Sequence, residues 1–252
     1  AVAGGVLALW DLRVPYFATA AAFVALMVVV FYFVEPERDA SFVEAQAHWM
    51  EALGAALKTP VLIWLFALST LMYAFSHLPF VFGQPFIFVA LDGLNLSATA
   101  PVVSGVVTAL MMLLSVLTSW MAPSLRERLG LSGILLLSFA MQIFLVGGLA
   151  ISGSVFAIAL LLMRKVPDSF SRPFILARIQ PLLSDGVRAT YLSIQNLSAK
   201  LLFALTLYFA AGSASDVGVM TNAEVRAILQ VYAGFGLMAF AALFFAARGR
   251  GS

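Results

Sequence analysis

ALLLMRKVPDSFSRPFILARIQ, residues 159–180, is as long and as apolar as a membrane span, yet it carries Arg164, Lys165, Asp168 and Arg172. A single Arg, Lys or Asp at the centre of a spanning helix costs about 2.5–3.5 kcal/mol on insertion scales, so these four charges, which lie inward of Arg178 near the segment's end, must face other protein or a water-filled cavity. Arg164, Asp168 and Arg172 recur at i, i+4 and i+8, which places them on one helical face, with Pro167 positioned to kink the helix between them. That face is the expected substrate surface.

The rest of the chain agrees with a membrane setting. Hydrophobic residues make up 63% and charged residues 10%, with a mean hydropathy of +1.03, whereas about a quarter of a soluble domain is charged. The chain is therefore expected to be an all-α integral membrane protein whose first partner is the lipid bilayer. Its basic residues stand singly between apolar runs and form no stripe, which excludes nucleic acid as a partner. It has no cysteine, and its two histidines, His48 and His77, are far apart, so neither a thiolate site nor a metal pair is expected. Nothing in the sequence calls for a cofactor.

AVAGGVLALW at the start is too short to span a bilayer, which takes about 20 residues, and reads as the last turns of a helix belonging to a longer protein. Residues 14–34 form one uncharged crossing that stops at Glu35, Pro36, Glu37, Arg38 and Asp39. Residues 35–58 read as a linker. Ser41 and Glu44 have capping-box spacing, and Phe42, Ala45, Trp49, Leu53 and Ala56 recur at helical spacing opposite Glu44, His48 and Glu51, as in a helix lying on the membrane surface.

Six further crossings follow within 59–252. Residues 59–91 are uncharged, with Thr70, Tyr73, His77 and Gln84 near one face and with Pro79 and Pro85 in the outer half; Gln84 and Pro85 together mark a broken helix of the kind that lines a cavity. Residues 98–121 cross back, 122–130 (APSLRERLG) form a short basic loop, and 131–151 cross again. The charged helix extends from Val155 to about Pro181. Residues 189–211 carry Gln195, Asn196 and Lys200, and 224–247 make the last crossing. Arg38, Lys58, Arg126, Arg128, Arg178, Arg188, Arg248 and Arg250 fall on the linker side, with Arg13 and Arg226 on the other, so the linker and the C-terminus are expected to be cytoplasmic.

One crossing, an amphipathic linker and six crossings with a basic loop after the second resembles the second half of a major facilitator superfamily transporter. That family carries a G-x-L-A-D-R-x-G loop, which Leu125, Glu127, Arg128 and Gly130 match, with Glu for Asp, Pro123 for the first Gly and Arg126 for the Ala. Gln84, Pro85, Phe86 and the string RATYLSIQN, Arg188 to Asn196, look like bacterial members of the multidrug-efflux-like group. Arg164 sits where the repeat relation between the halves places a cavity arginine.

The resemblance implies the end of helix five through helix twelve, with residues 1–34 belonging to an N-terminal bundle that is absent here and 59–252 forming the C-terminal six-helix bundle. It also implies a multi-pass protein of the bacterial inner membrane that exports a small molecule by proton antiport. Under this reading Arg164, Asp168, Arg172, Tyr73, His77, Gln84 and Asn196 contact substrate, Asp168 is the first choice for a proton-linked step, and Glu127, Arg128, Gly130 and Arg188 form gating loops. Charges in those loops can latch two bundles and release them as the bundles rock.

A transporter-like protein that binds a ligand without moving it is the second reading, and flux into proteoliposomes separates the two. An enzyme is not expected, since paired intramembrane carboxylates and an H-E-x-x-H pattern are missing, and Ser76 and His77, adjacent in sequence, are expected to point about 100° apart.

Overall fold

The computed structural model describes residues 2–11, 13–32, 49–92, 99–151, 155–212 and 221–249. Among these residues there is no strand. The chain begins with α1 (Val2–Leu7), α2 (Val14–Phe31), α3 (Trp49–Ala56) and α4 (Pro60–Asp92). A continuous helical stretch, Ala100–Ile151, comes next. At 1.5 Å per residue it would be about 78 Å long, more than twice the apolar thickness of a bilayer. It is folded back at Gly130, whose φ of 70° and ψ of 172° are not helical, so residues 100–129 are α5 and 131–151 are α6. The chain continues through α7 (Val155–Leu162), a 3-10 turn at Met163–Lys165, α8 (Val166–Ile179), α9 (Asp185–Gly212) and α10 (Asn222–Arg248).

Among the described residues, five helical stretches are long and apolar enough to cross a membrane: Val14–Phe31, Pro60–Gly83, Pro101–Ile151, Val187–Gly212 and Ala223–Arg248. The third contains the reversal at Gly130. These stretches mark a multi-pass membrane protein. The expected basic loop at 122–130 is a correction: Pro123, Arg126, Glu127 and Arg128 all lie within α5, and only Gly130 departs from helix. Arg and Glu are good helix formers, and a glycine alone suffices for the turn because it tolerates positive φ.

Contacts between side chains fix how the helices run. Trp64 Nε1 donates to the Leu243 carbonyl at 3.0 Å and Tyr191 Oη to the Leu62 carbonyl at 2.7 Å. Further along, Tyr73 meets Phe203 edge-on. Leu62 thus pairs with Tyr191 and Tyr73 with Phe203, so α4 and α9 run parallel. By the same logic α10 runs against α4, through Trp64 with Leu243 and Phe75 with Gly236, and against α6, where an added Cβ at Gly147 would meet Ala233 and one at Gly236 would meet Ile143, so α6 is parallel to α4. Neighbours in sequence alternate in direction, as consecutive crossings must.

The core runs along the face of α4 that carries Leu62, Leu65, Leu68, Met72, Phe75, Leu78 and Phe82, recurring every three or four residues, against Ile134, Leu135, Phe139, Val146 and Leu149 of α6. In contrast, α2 has no buried residue, although it is apolar all round; that surface suits acyl chains. Leu53 and Ala56 of α3 are buried while Glu51 is exposed. The Ser41/Glu44 capping box and His48 lie outside the described residues. Thr221 caps α10 by a capping box with Glu224.

Tyr191 is fully buried and its hydroxyl ties α9 to the first turn of α4. Tyr191→Phe is expected to lower stability by about 0.5–1.5 kcal/mol, the net value of a buried hydrogen bond, because the Leu62 carbonyl keeps its intrahelical partner. Thermal unfolding in detergent measures this, and an unchanged midpoint would show that water replaces the hydroxyl.

Candidate functional site

The charged helix does not run straight from Val155 to Pro181. Pro167 has no N–H to offer the Met163 carbonyl four residues earlier, and Val166 N–H donates to that carbonyl instead. An i→i+3 bond is the 3-10 pattern, which accounts for the turn at Met163–Lys165. This corrects the expected single face. A 3-10 turn advances about 120° per residue against about 100° in an α-helix, so Arg164 is rotated away from Asp168.

The three charges accordingly go to different places. Asp168 Oδ2 is 3.0 Å from Lys165 Nζ, a salt bridge whose side chains are 34% and 32% exposed. Asp168 Oδ1 accepts from Gln142 Nε2 on α6 at 3.4 Å. The pair is therefore made with Lys165, three residues away, and not with Arg164 or Arg172 four residues away on either side. Arg172 is exposed. Arg164 instead lies 5.0 Å from the centre of the Phe80 ring on α4. Ser169 braces α8 against α5, with its Oγ 2.6 Å from Ser115 Oγ.

Gln142 sits about 18 Å along α6 beyond Gly130, near the middle of an apolar slab about 30 Å thick. It is 1% exposed, and its Oε1 has no hydrogen-bond partner. Asp168, held against it, is at about the same depth. Arg164 is one turn nearer the far end, in a cleft lined by Pro79, Phe80, Gly83, Ser104, Val107, Thr108, Met111, Leu161 and Arg164 itself.

Tyr73 and His77 stack at 4.1 Å, and His77 packs on Phe203 of α9 at 5.2 Å. On a helix of 100° per residue, Tyr73, His77 and Phe80 fall within about 60° of arc, so α4 presents all three between α9 and the Arg164 turn. His77 Nδ1 lies 2.8 Å from the Tyr73 carbonyl. Ser76 Oγ does reach His77 Nδ1, at 3.1 Å, contrary to the expectation that the two point apart. Both groups turn back to the same Tyr73 carbonyl, to which Ser76 donates at 2.9 Å, and that shared acceptor brings them together.

Gln84 lies in α4, but its side chain is outside the described residues. Asn196 is exposed on α9, two turns before Phe203 on the same face, while its neighbour Gln195 is buried. Glu127 and Arg128 are exposed in the last turn of α5. Beside them Arg126 stacks on Phe174 of α8 at 5.1 Å, tying the two helix ends together. Arg188 is half-buried in the first turn of α9.

The residues overlooked in the sequence are Gln142 and, as the partner of Asp168, Lys165. A lone Gln within the uncharged run LLLSFAMQIFLV was the available signal, since polar side chains in spans find partners on neighbouring helices. Among the described residues no three His, Asp or Glu side chains are grouped so as to hold a metal. Comparison with known protein families, with curated proteins and with solved structures finds no match.

Proposed function

We propose that the chain forms part of a secondary active transporter of the major facilitator type, working by alternating access and moving a small molecule outward in exchange for protons. The observation that carries this reading is the Asp168, Lys165 and Gln142 cluster at mid-depth, one turn from the Arg164 cleft. Ionisable groups there are costly and find use where a solute or proton passes. The interrupted helix supports it as well, because broken helices at the midplane are how many carriers build their sites. In this reading α4 to α10 form a six-helix bundle, with α7 and α8 together making one crossing, and α2 is a seventh crossing outside it.

The stripe Asn196, Leu197, Lys200, Leu201 and Leu205 on α9 is exposed and mixes charge with apolar side chains, as a face toward a second bundle across a wet cavity would. The linker and C-terminal ends are cytoplasmic by the distribution of Lys and Arg. The test is to reconstitute the complete protein in liposomes and follow a panel of labelled organic anions and cations under an imposed pH gradient. Flux above that of protein-free liposomes, collapsing when the gradient is removed, is the expected result. Binding without flux across the panel would reject the carrier in favour of a ligand-binding membrane protein.

A further inference from the structure

We infer that the Arg164 cleft is an anion subsite, taking the carboxylate of a monoanionic solute whose apolar or aromatic body lies against α4 and α5. The inference rests on the transport reading for its role but not for the binding itself. Two cations lie side by side in the turn, and they are not equivalent. Lys165 is neutralised by Asp168 at 3.0 Å, whereas Arg164 has no carboxylate in salt-bridge contact among the described residues. The stretches that line its cleft supply none: residues 60–91, 99–125 and 155–163 contain neither Asp nor Glu, and Asp92 and Glu127 stand at the far ends of α4 and α5, nine and sixteen residues beyond the last lining residue of each. A guanidinium half-withdrawn from solvent, whose nearest carboxylate, Asp168, is already bound to Lys165, favours an anion brought from outside.

The chemistry of the lining narrows the class. Phe80 covers the cation at 5.0 Å, a cation–π contact, and leaves the N–H fork that matches a planar, bidentate acceptor such as a carboxylate. A single unpaired charge fits a monoanion better than a phosphate dianion. Val107, Met111 and Leu161 supply the apolar wall. The Thr108 hydroxyl already donates to the Ser104 carbonyl at 2.8 Å, so it adds no donor for the anion and the fork is the main recognition element.

Three molecules of nearly one shape test this: benzoate, benzamide and benzamidine, titrated calorimetrically into the full protein in detergent. Benzoate should bind, benzamide at least tenfold more weakly, and benzamidine not at all. Arg164→Gln should weaken benzoate at least tenfold, with Arg164→Lys in between because a point charge replaces the fork. Should Arg164→Gln fail to fold, Thr108→Asp offers Arg164 a carboxylate from within the cleft and should abolish benzoate binding while keeping the protein folded. Equal binding of benzoate and benzamide, no benzoate binding by the unaltered protein, or benzoate binding undiminished in Arg164→Gln or Thr108→Asp would overturn the inference. Arg164-dependent binding in a protein without flux would sink the carrier reading alone, and flux alongside undiminished binding in Arg164→Gln would sink this inference alone.

Discussion

Asp168→Asn is expected, if the chain works as the proposed proton-coupled carrier, to abolish the response of solute movement to a pH gradient while leaving counterflow exchange intact. Asn has the shape of the protonated carboxyl but cannot release the proton, so a carrier with this change still shuttles solute and no longer couples it to protons. The structure gives the residue the features that role needs. Its carboxylate is a third exposed and meets Lys165 on one oxygen and Gln142 on the other, and the helices packed on α8 bring no competing charge near it. No charged residue lies in 60–91 or 131–151, and those of α5 lie at its linker end. Arg164, Lys165 and Arg172 on its own segment are the charged neighbours. Removing one partner of an ion pair leaves the other uncompensated. The double change Lys165→Met with Asp168→Asn therefore serves as the control for folding. Gradient-driven flux surviving in Asp168→Asn would move the proton-carrying role elsewhere.

Gly236→Ala is expected to destabilise the bundle by about 1–3 kcal/mol, the usual cost of inserting atoms into a filled core. A Cβ at Gly236 would stand 2.7 Å from Phe75 Cε1, 2.8 Å from its Cζ and 2.9 Å from Ile143 Cγ1. Neither neighbour is free to retreat: Phe75 is buried and edge-on to Phe139 at 5.3 Å, and Ile143 is buried as well. α4, α6 and α10 meet at this point, so a shift of one helix displaces two. Gly147→Ala is the matched comparison, since its Cβ would meet Ala233 Cβ at an ordinary 3.7 Å, and replacing a helical glycine by alanine there should be neutral or stabilising by about 0.5–1 kcal/mol. Unfolding midpoints of the two variants in detergent decide the matter. Equal midpoints would mean that α10 is free to move outward.

Much of the architecture was legible because bilayer-scale apolar runs are long and carry few charges; the crossings at 14–31, 60–83 and 187–212 needed no more than that. The end of α5 was less so. Arg126, Glu127 and Arg128 look like a loop by charge, yet they are helix formers and continue the helix until glycine permits the reversal. The site was legible in composition but not in pairing. Spacing alone joined Arg164, Asp168 and Arg172, and the missing N–H of Pro167 rewound that face and transferred the pair to Lys165. Gln142 escaped notice because its role depends on α6 crossing α8, a contact between residues far apart in sequence that no local pattern encodes.

Gly130 allows a separation of two effects that usually travel together. Its neighbourhood is empty, with no atom within 4 Å of where a Cβ would stand, while its φ of 70° is one that L-residues rarely adopt. Intolerance at this position would therefore be a matter of handedness and not of room. A semisynthetic protein carrying D-alanine at position 130 should assemble normally where the L-enantiomer strains the reversal between α5 and α6.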